Sequence, residues 1–156
     1  MQIRRFNISD CQPLWQLHFQ TIRQYCIKDY SLAQVKAWAP CQYQPNQWQQ
    51  KLQSLNPFVV TINENIAAYA DLQDDGYIDH FYCATEYIGQ GVGGHLMRHI
   101  IALAQSRKMN RLYSQVSLSA KPFFAHFDFN VVKSQTVNVR GVSLQNFVME
   151  RIILPI

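Results

Sequence analysis

A glycine-rich segment in the middle of the chain is its most informative feature. Residues 81–96 read FYCATEYIGQGVGGHL, and four of the six residues from Gly89 to Gly94 are glycine. A β-rich run precedes the glycines, and a helical apolar pattern follows them. Glycines at such a junction let main-chain N–H groups approach an anion, and the helix N-terminus adds unpaired donors and partial positive charge. The segment therefore predicts a phosphate or pyrophosphate site, with a tight turn for close helix packing as the alternative.

Two familiar phosphate motifs are excluded by the surrounding sequence. The spacing of Gly89, Gly91 and Gly94 matches the dinucleotide fingerprint, which also requires an acidic residue about 20 positions later. No Asp or Glu occurs between Tyr87 and Asp128. The runs before the glycines predict an antiparallel meander, whereas the fingerprint follows the first strand of a βαβ unit. A Walker site is excluded because no Gly-Lys-Ser/Thr follows the glycines.

Strand and helix patterns surround this segment on both sides. Strands are predicted over residues 2–6, 58–62, 66–72, 77–84, 112–118, 131–139 and 142–153. Helices are predicted from Ser9 or Asp10, from Ser31 to before Pro40, and over 46–55, 92–106 and 120–126. The Ser31-x-x-Gln34 pattern is a capping box. This order predicts an α/β (α+β) fold with a central mixed, mostly antiparallel sheet of about seven strands flanked by helices.

Composition narrows the class of protein. The chain has 156 residues, of which 48% are hydrophobic and 15% charged, so a disordered chain is excluded and one domain over 1–156 is expected. It has no run of about 18 apolar residues and no apolar leader, so we expect a cytoplasmic protein that binds no membrane. The net charge of +4 suits an anionic ligand and is too diffuse for nucleic acid.

Cysteines and histidines do not predict a metal site. His95 and His99 are four residues apart on the predicted long helix, but no acid or third ligand is near them in sequence. The cysteines lack a C-x-x-C pair, so we expect reduced thiols and no zinc. They are Cys11, Cys26, Cys41 and Cys83.

The glycine segment resembles the GNAT superfamily of N-acetyltransferases, in which Gln/Arg-x-x-Gly-x-Gly/Ala binds the pyrophosphate of acetyl-coenzyme A. Gly91 and Gly93 fall on the two motif glycines, whereas Ile88 stands where Gln or Arg is usual. The main-chain cradle survives this change because its donors are backbone amides. Segments 28–31, 37–40, 120–124 and 139–142 resemble the YafP-like bacterial branch of the family, so the resemblance covers nearly the whole chain.

The resemblance implies a three-layer fold and acetyl-CoA as the co-substrate of an N-acetyltransferase that acts on a primary amine. The implied cofactor-binding residues are Phe81, Tyr82, Cys83, Ile88, Gly89, Gln90, Gly91, Val92, Gly93, Gly94 and His95.

Transfer to an amine requires a general base, since only a neutral amine attacks the thioester. Asp79 is the first candidate, because relatives carry a catalytic acidic residue at the corresponding place and strand alternation puts it on the face of Tyr77, Phe81 and Cys83. Partial desolvation on that face would make the carboxylate a better base. His80, which points to the opposite face, is the alternative.

The remaining groups follow from the same resemblance. The family polarises the thioester carbonyl with a main-chain N–H on this strand, beside a splay between neighbouring strands, which points to Tyr82 or Cys83. Cys83 as a nucleophile is a minor alternative, because no basic neighbour would lower the pKa of its thiol. Phe124 stands where many relatives carry a tyrosine that acts as the general acid and protonates the departing thiolate. Either the thiolate leaves unaided or another group protonates it, the candidates being Tyr82, Tyr113, Ser117 and Ser119.

The acceptor is left open by the sequence. Tyr30 and Trp38, in the branch-like segments, are the candidate substrate contacts. We expect a small-molecule or peptide amine as the acceptor, and a monomer or homodimer. A non-catalytic acyl-CoA-binding or regulatory module is the alternative function. Transfer of a longer acyl group, or transfer to a hydroxyl, is a third.

Overall fold

The computed structural model describes residues 1–154, which form five α-helices and eight strands. A π-helical turn, Thr21–Tyr25, and a 3-10 turn, Cys26–Lys28, connect the first two helices. The helices are α1 Cys11–Gln20, α2 Leu32–Trp38, α3 Pro45–Leu55, α4 Val92–Ser106 and α5 Lys121–His126. The strands are β1 Gln2–Arg5, β2 Phe58–Ile62, β3 Asn65–Ala70, β4 Tyr77–Ile78, β5 Phe81–Cys83, β6 Arg111–Ser117, β7 Asn130–Val139 and β8 Val142–Ile152.

The strands form two four-stranded sheets. The first has the order β1-β2-β3-β5 and is antiparallel throughout. The second has the order β4-β6-β8-β7, in which β4 runs parallel to β6 and the other pairs are antiparallel. The mixed, mostly antiparallel α+β class is therefore confirmed. The described strands number eight, against about seven predicted, because the predicted strand 77–84 is divided into β4 and β5.

One buried carboxylate accounts for this division. Asp71 has no exposed surface, and its Oδ1 accepts hydrogen bonds from the amides of Asp79 at 3.0 Å and His80 at 2.6 Å. The backbone therefore bonds to a side chain at this point instead of continuing one ladder. β4 pairs with β6 up to Ile78, whereas β5 pairs with β3. As a result, the two sheets separate after Ile78 and leave a gap between β5 and β6.

Helices cover both faces of the first sheet because successive residues of a strand point to opposite sides. Val60 of β2 packs in one core cluster with Leu96 of α4. Its neighbour Val59 packs in another with Leu14 of α1 and Leu52 of α3. The sheet thus lies between α4 on one side and α1 with α3 on the other, as the three-layer expectation requires.

Local sequence explains where the helices near the gap begin. Ser31 Oγ accepts from the Gln34 amide at 3.1 Å, and the Gln34 side chain accepts from the Ser31 amide at 2.8 Å, so the capping box is confirmed. Helix α4 covers the predicted residues and starts after Gly91. None of the helices within residues 1–154 has the length and apolar character that crossing a membrane requires.

Candidate active site

A cleft of about 620 Å³ occupies the gap between β5 and β6. The glycine segment and the start of α4 line one end, and the middle is lined by β5 and by residues 114–117 of β6. The π-helical turn and Trp38 of α2 line the other end. The splay thus brings three segments that are far apart in sequence to one cavity.

The glycine segment leaves backbone amides open at the start of α4. Gly89 and Gly91 have φ angles of 82° and 83°, a conformation that side chains rarely adopt, and a Cβ at either position would meet open space. The first hydrogen bond of α4 runs from the His95 amide to the Gly91 carbonyl at 3.0 Å. The amides of the first turn therefore lack intrahelical partners, and no acidic residue of that turn competes for them. Such a helix start attracts an anion.

Gly93 serves a different purpose from Gly91. A Cβ at Gly93 would lie 3.1 Å from the Phe123 ring of α5, so the absence of a side chain lets the two helices approach. The close-packing alternative considered from the sequence thus applies to this glycine, whereas the open space beside Gly89 and Gly91 suits a ligand.

The hydrogen bonds at both ends of β5 fix which of its amides are used by the sheet. The Ala84 amide donates to the Ala67 carbonyl at 2.8 Å, and the Asp71 amide donates to the His80 carbonyl at 3.2 Å. Bonded pairs recur at every second residue of an antiparallel ladder. Tyr82, midway between these pairs, therefore bonds to β3.

The other edge of β5 faces the cleft. By the same alternation, the amides and carbonyls of Phe81 and Cys83 point away from β3. The Thr21 hydroxyl in the π-helical turn donates to the Cys83 carbonyl at 2.8 Å, which ties that turn to the cleft wall. Of the two amides considered for the thioester carbonyl, the register leaves that of Cys83 facing the cavity.

Asp79 lies where the two sheets separate and is one of the residues that line the cleft. The carboxylate is 29% exposed, and Lys51 Nζ of α3 donates to its Oδ2 at 2.6 Å. Phe81 and Cys83 line the same cleft, and so does Tyr82 between them, whereas Tyr77 does not. The carboxylate is thus held by a lysine ammonium at the edge of the cleft.

His80 points away from the cleft into an aromatic cluster. Its ring stacks on His18 with a centroid distance of 5.3 Å, and its Nδ1 lies 3.0 Å from the Tyr69 hydroxyl. Burial, and then the nearby Lys51 charge, lower the pKa of His80 to about 3. Burial, and then His80, also lower the pKa of His18 well below its ordinary value. Both imidazoles are therefore neutral near pH 7, and His80 lies outside the cavity where a base would act.

The two thiols that line the cleft are protonated at neutral pH. Burial, and then Glu86, raise the pKa of Cys83 to about 11. Burial also raises the pKa of Cys26 to about 11. Because the thiolate is the nucleophilic form, this environment disfavours Cys83 as a nucleophile.

The candidates for a general acid divide by position. Tyr82, Ser117 and Ser119 line the cleft, but burial raises the pKa of Tyr82 far above its usual range, which weakens it as an acid. The Ser119 hydroxyl donates to Asp29 at 2.7 Å. Tyr113 lies outside the cavity, where it donates to Asp75. Phe124 lines the cleft and packs edge-on against Phe81 with a centroid distance of 5.8 Å.

Most of the predicted cofactor residues line the cleft, and three do not. Gln90, Val92 and His95 lie outside the lining. Gln90 instead donates to the Glu86 carbonyl at 2.7 Å, and Val92 is buried in the core. Those that line it are Phe81, Tyr82, Cys83, Ile88, Gly89, Gly91, Gly93 and Gly94.

The two predicted substrate contacts also differ. Trp38 lines the cleft. Tyr30 lies outside the lining and is buried, and its hydroxyl donates to the Gln145 carbonyl at 2.6 Å and accepts from the Leu118 amide at 2.9 Å. The Tyr30 hydroxyl therefore joins the segment before α2 to the second sheet, and a substrate contact by Tyr30 stays a prediction.

Four residues of the site were missed by the sequence interpretation. Thr21 lies in the π-helical turn and Lys51 in α3, and no sequence pattern predicts how these helices pack against the sheet. Arg98 lies one turn beyond Gly94 and lines the cleft, although the glycine segment itself contains no Lys or Arg. Asp71 could have been noticed, because it is a carboxylate within an apolar run.

Comparison with known proteins gives concordant matches. Residues 26–151 match the acetyltransferase (GNAT) domain family. The uncharacterized N-acetyltransferase YafP of Escherichia coli (strain K12) is 30% identical over 96% of this chain and 94% of its own. A crystal structure of a GCN5-related N-acetyltransferase (aminotransferase, class-II) from Rhodopseudomonas palustris is 25% identical, with a TM-score of 0.91 over 97% of this chain and 94% of that one.

A more distant structure shares the fold. YncA, a putative acetyltransferase from Salmonella typhimurium solved with its cofactor acetyl-CoA, is 17% identical with a TM-score of 0.67. The alignment covers 100% of this chain and 95% of that one.

Proposed function

The chain belongs to the acetyltransferase (GNAT) domain family, and from that premise we propose that it transfers an acetyl group from acetyl-CoA to a primary amine by direct attack on the thioester. Acetyl-CoA is the co-substrate. One observation carries the proposal: a single cleft joins the open amides at the start of α4 to the unpaired edge of β5.

The glycine segment supplies the phosphate end of the site. Amides of the first turn of α4 donate to the pyrophosphate, and the open space beside Gly89 and Gly91 admits it. The Arg98 guanidinium at the same end of the cleft adds a cation for a phosphate group. No side chain from position 88 takes part, since isoleucine has no hydrogen-bond donor.

The free edge of β5 supplies the reactive end. The Cys83 amide donates to the thioester carbonyl oxygen, and this bond strengthens as negative charge develops on that oxygen. The amine nitrogen bonds to the carbonyl carbon, and the carbon–sulfur bond breaks. Because a thiol of ordinary pKa is a tolerable leaving group, the thiolate departs without a side-chain acid at Phe124.

Asp79 accepts the proton that the amine loses. Its position on the cleft beside β5 supports this role, and Lys51 orients the carboxylate. His80 is disfavoured as the base because its ring is turned into the aromatic cluster. The overall step converts an amine and a thioester into an amide and a thiol, with the proton passing through Asp79.

The experiment that tests the function mixes the purified protein with acetyl-CoA and a panel of primary amines, and follows the release of free thiol together with the acetylated product. We expect stoichiometric thiol and amide. Binding of acetyl-CoA without turnover on any amine would instead support the non-catalytic acyl-CoA-binding module. Competition between acetyl-CoA and longer acyl thioesters tests the preference for acetyl.

A further inference from the structure

A second groove, of about 400 Å³, lies beside the cleft. We call it the tryptophan groove; its lining includes Trp15, Phe19, Trp38, Trp48, Lys51 and Arg140. It is connected to the cleft in two ways. Trp38 lines both cavities, and Lys51 in the groove bonds to Asp79 in the cleft at 2.6 Å. A molecule in the groove is therefore next to the carboxylate assigned above as the base.

Aromatic rings form the apolar walls of the tryptophan groove. All three tryptophans of the chain line it, and each is only partly buried. Trp15 stacks on Phe19 with a centroid distance of 5.0 Å and an interplanar angle of 19°. Trp48 is fixed by its Nε1, which donates to the Cys11 carbonyl at 2.7 Å. Fixed, partly exposed rings in a concave surface suit a flat apolar ligand.

The charges of the groove all have one sign. Lys51 and Arg140 line it, and none of its described lining residues is an aspartate or glutamate. Arg140 is held at the rim, where its Nη1 donates to the Ala37 carbonyl at 2.7 Å. Between Cys11 and Asn63, the sequence that supplies most of the lining contains one acidic residue, Asp29. An anionic group in the groove would meet Arg140 and Lys51, of which Lys51 is already paired with Asp79, and these lining residues themselves include no carboxylate.

The close contact between Lys51 and Asp79 narrows the ligand further. Lys51 Nζ offers a partner for a carboxylate, and Asp79 Oδ2, only 2.6 Å away, offers one for an amine. An α-amino acid carries its amine and carboxylate on one carbon, so both groups can reach this pair together. Its side chain then extends toward the aromatic walls.

We propose that the tryptophan groove binds the acceptor, and that the acceptor is an α-amino acid with a flat apolar side chain. This inference rests on the proposed acetyl transfer and names its substrate class. The acceptor carboxylate shares Lys51 with Asp79, which directs the α-amine to the base and to the cleft.

Three acceptors with the same ring test the proposal. We expect kcat/KM for L-phenylalanine to exceed that for L-phenylalaninamide and phenethylamine by about tenfold or more, the size of one charge-assisted hydrogen bond. Lys51→Met and Arg140→Met should each reduce this ratio. Lys51→Met also removes the ion pair to Asp79, which changes kcat/KM for every acceptor. The ratio of two acceptors measured on the same variant cancels this shared effect. Lys133→Met, an exposed lysine on β7, is the matched control and should keep the ratio.

A binding measurement gives a readout independent of turnover. Since all three tryptophans line the groove, N-acetyl-L-phenylalanine should change the tryptophan fluorescence saturably, and more weakly in Lys51→Met. A preference for spermidine or phenethylamine, a ratio unchanged in both variants, or no fluorescence change would overturn the proposal and leave acetyl transfer standing. Absence of thiol release with every amine, spermidine included, would remove the proposed function and this inference with it.

Discussion

Lys51 Nζ bonds to the Asp79 carboxylate at 2.6 Å, and Asp79 is one of the residues that line the cleft. This ion pair keeps the carboxylate in one position at the divergence of the sheets. If Asp79 receives the amine proton, its effect belongs to the chemical step and not to the binding of acetyl-CoA, whose phosphates we place at the other end of the cleft.

We therefore expect Asp79→Asn to lower kcat by about 10²–10⁴-fold, the usual contribution of a general base. Steady-state kinetics with the best acceptor of the panel measures kcat, and calorimetric titration should give an unchanged acetyl-CoA affinity. Asp74→Asn, on the exposed turn nearby, is the matched control and should behave as the wild type. An unchanged kcat in Asp79→Asn would remove it as the base.

Gly91 offers a test of the phosphate end of the site. Its φ of 83° makes any side chain strained, and the open space beside it is where the phosphate is proposed to bind. Gly91→Ala adds both backbone strain, of about 1 kcal/mol, and a methyl group at the phosphate end. Gly141 has a φ of 81° and also faces open space, but it lies in the β7–β8 turn. Gly141→Ala is therefore a control for strain alone.

Both variants should lose similar stability in urea denaturation, whereas Gly91→Ala alone should bind acetyl-CoA more weakly, by about tenfold or more. Calorimetric titration measures this difference. Equal affinities in the two variants would mean that the phosphate lies elsewhere.

The element that shapes the site is the break between β4 and β5. Asp71 is fully buried and accepts the amides of Asp79 and His80 as well as the Gln73 side chain at 2.6 Å. An asparagine at position 71 keeps one acceptor oxygen but turns an amide group toward donors. Asparagine would therefore bond less well to the amides of Asp79 and His80, and the break between β4 and β5 would be less stable.

We expect Asp71→Asn to lower the free energy of unfolding by about 1–3 kcal/mol, the cost of leaving buried polar groups unsatisfied. Urea denaturation measures this change, and kcat should fall as well because Asp79 follows the break. Asp128→Asn is the control, since that side chain is 86% exposed. Wild-type stability and kcat in Asp71→Asn would show that the break does not depend on this carboxylate.

The sequence predicts regular elements better than the division between them. Helix α4 was predictable over its length, because its apolar spacing and the glycines before it are local features. The break at Asp79 was not, because it depends on the side chain of Asp71, eight positions away. The glycine turn before α4 was predictable for the same local reason. Lys51 and Thr21 were not, because helix packing brings them to the site and the periodicity of the sequence does not encode that packing.

At the scale of the whole molecule, the buried histidines couple stability to pH. The pKa of His80 is lowered to about 3 by burial and then by Lys51, whereas an unfolded histidine titrates near 6.5. Between these values the unfolded chain binds more protons than the folded one. Stability is therefore lost as pH falls below about 6.5, by at most about 1.4 kcal/mol per pH unit for this residue. His18 acts in the same direction.

The expected result is a lower urea midpoint at pH 5 than at pH 7, with a smaller difference in His80→Asn. His126→Asn is the control, because that ring is exposed on α5 and should leave the pH difference unchanged. If His80→Asn keeps the full wild-type difference, the ring does not contribute to the coupling.

The central claim is that the cleft holds acetyl-CoA with its pyrophosphate on the first turn of α4 and its thioester carbonyl on β5. A crystal structure of the complex with a non-reactive acetyl-CoA analogue tests it most directly. We predict a carbonyl oxygen about 2.7–3.1 Å from the Cys83 amide nitrogen, the range of an oxyanion contact. A carbonyl turned away from β5, or a pyrophosphate bound away from Gly89 and Gly91, would contradict the account.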